Sequence, residues 1–223
     1  VLELIRNRLR QGIRTLMFPK GEAPELPERF RGRPTRGAAP LDLGMCLFSP
    51  EEATYTRDYR MAVARREALV TDTGEVELAR ALDERSRRLF GRSLRLRSVV
   101  AGSCGGCEAE LVALGNVVYD LARFGVQFVA SPRHADGLVI TGAMSVNMRA
   151  ALRKTYDAVP APKIVLAVGA CAMSGGPFRG SPEVGNGVDG VPVDLWVPGC
   201  PPHPLTILDG VLRLLGAIES GAR

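Results

Sequence analysis

Long apolar runs are missing from this chain of 223 residues: no uncharged hydrophobic stretch approaches the ~20 residues that a membrane-crossing helix needs. The first turns are charged, with Glu3, Arg6 and Arg8, so no secretory leader is expected. Aromatic residues are scarce at 5%, and no recognised binding motif accompanies the basic residues, so nucleic acid is not an expected partner. No internal repeat is present. Five cysteines without an export signature argue against a disulfide framework and for metal or redox chemistry. The length and an ordinary hydrophobic content of 46% are sufficient for one large domain, or a domain with an appendage.

The charge that is present is uneven. Residues 1–100 carry 20 Lys+Arg against 14 Asp+Glu, a balance of +6, while residues 101–223 carry 9 against 10, or −1. A basic front half suits anionic lipid or an acidic protein, and docking on acidic partner subunits is the simpler reading. Leu2, Ile5, Leu9, Ile13 and Leu16 recur at helical spacing with Arg6, Arg10 and Arg14 on other faces. That spacing predicts an amphipathic basic helix for a membrane surface or a partner. Residues 19–40, rich in proline, arginine and glycine, read as an extended arm. A helix is expected over residues 75–90, ended by Gly91. A boundary near residue 92 divides the chain into an extension, 1–91, and a second domain, 92–223.

Beyond that boundary, apolar strand patterns alternate with helical ones. Strands are expected at 94–101, 126–130, 137–140, 163–168 and 194–197, and helices at 108–124, 145–158 and 204–216. The alternation implies an α/β fold: a mostly parallel sheet with helices on both faces, preceded by the extended arm. Ser103-Cys104-Gly105-Gly106-Cys107-Glu108-Ala109-Glu110 stands where the first of these strands meets its helix. Cys171 follows the fourth strand and Cys200 the fifth. Loops after the strands of an open parallel sheet gather along one edge, so thiols leaving three strands can meet there.

Several chemistries suit such a set. A thioredoxin-type dithiol opens a helix in the same way, but leaves Cys171 and Cys200 unexplained. Structural zinc accepts four thiolates, yet usually takes them as two short-spaced pairs rather than one pair and two singles. A 4Fe–4S cluster tolerates scattered ligands and needs room, which the glycines beside the thiols would provide. Flavin would suit the sheet edge, but no separate glycine loop is present to cradle its phosphate. The spacing favours the cluster and leaves zinc, a dithiol and plain buried thiols open.

Four motifs in order carry a resemblance. Ser103-Cys104-Gly105-Gly106-Cys107-Glu108 is followed by Ser131-Pro132-Arg133-His134-Ala135-Asp136. Gly169-Ala170-Cys171-Ala172-Met173-Ser174-Gly175-Gly176 and Val197-Pro198-Gly199-Cys200-Pro201-Pro202 complete the set. Over roughly residues 95–215 the chain resembles the B-type subunit of respiratory complex I. It is similar also to the small subunits of membrane-bound NiFe hydrogenases and formate hydrogenlyases. The resemblance implies a flavodoxin-like sheet holding one 4Fe–4S cluster through Cys104, Cys107, Cys171 and Cys200. Around it, Arg133 is read as holding negative charge or pairing with Asp136. His134 is read as tuning the potential, lying near a proton path or being structural, and Glu110 as a proton relay or a helix-start carboxylate. His203, before Pro204, reads as a helix cap. Complex I members carry two adjacent cysteines where this chain spaces its pair by two glycines; the spaced pair and His134 look like the hydrogenase branch.

What the resemblance implies is an electron-transfer subunit of an oxidoreductase, with no active site of its own. Electrons would pass to or from a catalytic large subunit of hydrogenase type or, alternatively, of complex I type serving quinone. The chain would sit on the cytoplasmic side of the inner membrane without a direct span, held by ferredoxin-like and membrane subunits. A reading of another class is a redox-silent scaffold stabilised by a cluster or zinc. Residues 42–70 resemble part of a bacterial-type ferredoxin domain. Counted from Cys46, its ligand positions hold Ser49, Glu52 and Thr56, so no cluster is expected there. Cys46 then reads as a small buried hydrophobe in a docking remnant.

Overall fold

A computed structural model describes residues 2–37, 41–46, 53–72, 75–90 and 93–218. Ser49, Glu52, Gly91 and the side chain of Cys46 lie outside the described residues. The amphipathic segment forms α1 (Leu2–Gln11) and stops at Gly12, whose φ of 64° takes the chain out of the helix. Residues 13–33 follow without regular structure, and β1 (Pro34–Gly37) ends the arm. Next come β2 (Leu41–Asp42), α2 (Leu43–Cys46), β3 (Ala53–Tyr55) and β4 (Val70–Thr71). β1 pairs antiparallel with β3, and β2 with β4.

The helix expected over residues 75–90 is shorter: α3 (Glu84–Phe90) alone is helical. The preceding backbone is taken by distant partners, Ala79 N donating to Ala62 O at 2.7 Å and Leu82 N to Leu214 O at 2.9 Å. Those bonds replace the local ones that a helix would make, a tertiary override of propensity.

The second half is built on β5 (Leu94–Val100), α4 (Gly106–Ala113), β6 (Val126–Phe128), β7 (Gly137–Thr141) and α5 (Val146–Ala158). It continues with β8 (Ile164–Val168), α6 (Ala170–Ser174), β9 (Leu195–Val197) and α7 (Pro204–Leu214). The five strands form one parallel sheet in the order β6-β5-β7-β8-β9. Numbered along the chain this is the 2-1-3-4-5 order of flavodoxin-like folds. β7, β8 and β9 are buried at every residue, as expected of parallel strands covered on both faces. Val139, Ile164, Leu166, Val168, Leu195 and Val197 face α4 and α7, while Leu138, Ile140 and Val165 face α5.

α4 corrects a sequence expectation. It ends at Ala113, not near residue 124, because Asn116 Oδ1 accepts from Val118 N at 2.8 Å and Tyr119 N at 3.1 Å. A side chain that satisfies its own following amides competes with the helix ladder. Asp120 then adopts a left-handed φ of 46° before a short 3-10 turn, Leu121–Phe124.

The extension packs against the sheet's β9 end. Val63 N donates to Trp196 O at 3.0 Å and Trp196 N to Val63 O at 2.8 Å, so one residue of the extension covers the edge strand. Leu41, Leu43, Met61 and Val63 pack on Ala167, Met173 and Trp196. On the other face Phe18, Leu26, Ala62 and Ala79 share a core with α7. Covered on both sides, α7 is buried at all 11 residues. Among them Asp209 and Arg213 pair one turn apart, Oδ2 to Nε at 2.8 Å. Among the described residues, no helix is long and apolar enough to cross a membrane.

Candidate metal centre

The four sequence-predicted cysteines lie past the C-terminal ends of β5, β8 and β9, on the edge where such sheets bind ligands. The β5 loop turns into α4 through a serine turn: Ser103 Oγ accepts from Gly105 N at 3.1 Å. Gly105 then adopts φ 87° as the N-cap. Cys104 therefore stands outside the helix and exposed, while Cys107 occupies its first turn and is half-buried. Cys171 is carried by the short α6, and Cys200 by the loop after β9, where it is exposed. Gly169 N donates to Val197 O at 2.9 Å and Ala170 N to Gly199 O at 2.8 Å, which ties these two loops together.

Close approach explains the glycines. A Cβ on Gly169, whose φ is 93°, would collide with Cys107 Sγ. One on Gly176, with φ 58°, would stand 2.6 Å from Cys171 Sγ. Side chains at either position would fill the space beside the sulfurs. Gly106 would carry its Cβ 3.6 Å from both Cys104 Sγ and Pro201 Cβ, which brings the first and last cysteine loops into one neighbourhood.

The electrostatics agree. Burial raises the Cys107 thiol to about 12, and Glu108, Cys171, Cys200 and Cys104 add to the rise. Burial likewise raises Cys171, with Cys200 and Cys104 contributing. Burial raises Cys200 as well, Cys104 adds to it, and the Arg31 guanidinium opposes it. Left without a cation, these thiols resist ionisation; a metal that takes them as thiolates must expel their protons. Among the described residues, no group of three or more His, Cys, Asp or Glu side chains is already arranged to hold a metal ion.

Glu108 holds the front of this edge. Its Oε2 accepts from Ser103 Oγ at 2.7 Å, and its Oε1 accepts from Thr141 Oγ1 at the end of β7. The carboxylate thereby locks the Cys104 loop to the neighbouring strand, beyond stabilising a helix start. α6 is held from behind by the extension. Ser174 Oγ donates to Gly44 O at 2.6 Å, and Arg66 Nε donates to Met173 O at 3.2 Å while its Nη2 pairs with Asp42 at 2.8 Å.

The residues expected around the cysteines are placed differently. Glu110 is half-buried, its carboxyl raised by burial, and its charge acts on Tyr119. Arg133 and His134 are exposed on a 3-10 turn leading into the N-terminal end of β7. Asp136 does not wait for Arg133: its Oδ2 accepts from Arg95 N at 2.7 Å. His203 caps α7, Nδ1 accepting from Leu205 N at 3.2 Å, and burial lowers its pKa. Sequence reading missed Arg31, since nothing in the arm's composition says which cysteine it reaches. It undervalued Glu108, which stands directly after the second cysteine.

The family model described as "NADH ubiquinone oxidoreductase, 20 Kd subunit" matches residues 104–214. A probable membrane-bound hydrogenase subunit of Pyrococcus furiosus is 44% identical over 129 residues, 57% of this chain and 77% of that protein. The B-type subunit of NADH-quinone oxidoreductase from Desulfovibrio desulfuricans is 51% identical over 109 residues, 48% of this chain and 59% of its own length. Among solved structures, a chain of an archaeal membrane-bound sulfane sulfur reductase superposes with a TM-score of 0.52 at 34% identity. That match covers 63% of this chain and 78% of the other. Sheet order, cysteine placement and these matches coincide: the chain belongs to the family of the 20 Kd subunit of NADH ubiquinone oxidoreductase and its hydrogenase relatives.

Proposed function

We propose that Cys104, Cys107, Cys171 and Cys200 hold one 4Fe–4S cluster, and that the chain carries electrons through it within a larger oxidoreductase complex. The observation that carries this reading is the meeting of three post-strand loops at one sheet edge, with glycines where side chains would crowd the sulfurs. Four thiolates are the ligand set that such a cluster takes. Bound there, the cluster would supply reversible one-electron storage. The protein's own part is positional. Gly169 and Gly176 leave space, Glu108 fixes the Cys104 loop, and the extension backs α6. Cys104 and Cys200 stand exposed, so the site faces outward for exchange with a neighbouring protein.

The partner we propose is a catalytic large subunit of hydrogenase type, on the grounds of the spaced Cys104/Cys107 pair. Relatives of both branches match at similar identity, and the 51% identity to the B-type component of a NADH-quinone oxidoreductase favours a complex I-type partner as the second reading. Residues 92–223 would be the cluster-binding unit and residues 1–91 a docking extension without a cluster of its own. Association would be peripheral, on the cytoplasmic face of the inner membrane and through partner subunits. Glu110 belongs to the proposal as a neighbour of the cluster, whereas Arg133 and His134 precede the N-terminal end of β7, away from the cysteine edge.

Reconstitution of the full chain with iron and sulfide under anoxia tests the cluster. About four irons and a reducible EPR signal are expected; stoichiometric zinc without such a signal overturns the reading. Purification with its large subunit tests the branch: hydrogen turnover supports the hydrogenase type. Quinone reduction without hydrogen chemistry supports the second reading.

A further inference from the structure

The arm of the extension passes directly over one corner of the cysteine site and is pinned on both sides of that crossing. Ahead of it, Leu26 is buried in the core and Phe30 packs edge-to-face on His203 with ring centroids 5.8 Å apart. His203 is the cap of α7 and also meets the Tyr119 ring at 6.1 Å. Behind the crossing, Gly32 N donates to Thr56 O and Arg33 N to Asp58 O, both at 2.9 Å, and Thr56 N returns a bond to Arg33 O at 2.9 Å. A Cβ on Gly32 would collide with this backbone, so the two segments lie in direct contact. Between the pins, Arg29, Phe30 and Arg31 enclose with Cys200 and Pro201 a cleft of about 240 Å³. Arg31 shares that cleft with Cys200. It lies outside the residues 104–214 that match the family, so this chain supplies the charge from its own extension.

We propose that Arg31 sets the reduction potential of the cluster from the Cys200 corner, the arm being the strap that holds its charge there. The inference rests on the cluster reading above. Reduction adds one electron to an assembly already negative from four thiolates, so its net charge falls by one. A guanidinium carried close by on a pinned backbone stabilises the reduced form more than the oxidised form and raises the potential. The tether matters as much as the charge. A cation on a free arm would be averaged away from Cys200, whereas Phe30 and the residue 32–33 pairing leave Arg31 little backbone freedom.

The test is an EPR-monitored potentiometric titration of the reconstituted full chain, with dithionite and mediators as the one-electron donor. At the wild-type midpoint, Arg31→Gln should lower the reduced-to-oxidised ratio roughly threefold. Arg31→Glu should lower it roughly tenfold, a downward shift of about 59 mV for one electron. Arg31→Lys should restore the wild-type ratio within about twofold, and Lys154→Gln, an equal loss of charge on the exposed face of α5, should leave it unchanged. Raising ionic strength from about 0.1 M to about 1 M shortens the screening length from about 10 Å to about 3 Å and should shrink the Arg31→Glu effect. Full iron content and an unaltered potential in both Arg31→Gln and Arg31→Glu would overturn the inference while leaving the cluster reading standing. A wild-type chain that takes up no reducible cluster overturns both.

Discussion

The two halves of this molecule are stabilised by different means. From β5 onward, parallel strands repeat a simple unit, β7, β8 and β9 being buried on both faces, and the register of each follows from its neighbour. The extension has short two-stranded pairings, single backbone bonds to distant residues, and ion pairs such as Arg66–Asp42 and Arg60–Asp58. Yet it is the extension that covers the edge strand, backs the helix bearing Cys171 and places a cation beside Cys200. A regular sheet supplies the positions of the ligands, and an irregular partner modifies what surrounds them.

The largest test of that division separates the cysteines themselves. Cys171→Ala should lose most of the iron bound by the reconstituted chain, whereas Cys46→Ala should leave it unchanged, as read by iron and sulfide analysis. Equal losses would make the extension a second site and erase the contrast.

Next in size is the buried ion pair where the halves meet. Burial raises the Asp209 carboxyl against the opposing pull of Arg213. Asp209→Ala leaves the Arg213 charge buried without its partner carboxylate and should lower stability by about 3–5 kcal/mol in urea unfolding. The double change Asp209→Leu with Arg213→Met should recover most of that loss, since well-packed apolar groups replace buried pairs at little cost. No recovery would mean that the pair does more than fill space.

Val63→Pro probes the edge bridge together with the packing of the buried Val63 side chain. It removes the donor to Trp196 O and should cost roughly 1–3 kcal/mol, the range for a buried group left unsatisfied. A single unfolding transition that shifts as a whole would show the halves to be one cooperative unit; separate transitions would show two.

The smallest effect concerns pH. Burial lowers the His203 pKa below its ordinary 6.5, so the folded state binds its proton less readily than the unfolded chain. Between the two values the unfolded state holds more protons, and stability falls as pH drops. The contribution of the neutral cap is present above about 6.5 and is lost as pH falls through the lowered folded value. His203→Asn keeps a capping oxygen and should flatten the decline between about pH 7 and pH 5.5 by at most about 1 kcal/mol, read from urea midpoints.

Much of this was legible in the chain's chemistry. Apolar runs of strand length alternating with helical ones require a parallel sheet, and cysteines placed after three of those strands must emerge at its C-terminal edge, because side-chain period and strand polarity leave no other place. Helix ends were less legible. Asn116 ends α4 through bonds that only its own turn reveals, and Ala79 and Leu82 leave the helical path because Ala62 and Leu214 accept their amides. The tertiary structure alone decided that Val63 would pair with Trp196, that α7 would be buried on every side, and that Arg31 would line a cleft with Cys200. Such pairings join residues far apart in sequence and are chosen by shape and charge in three dimensions, which no local periodicity encodes.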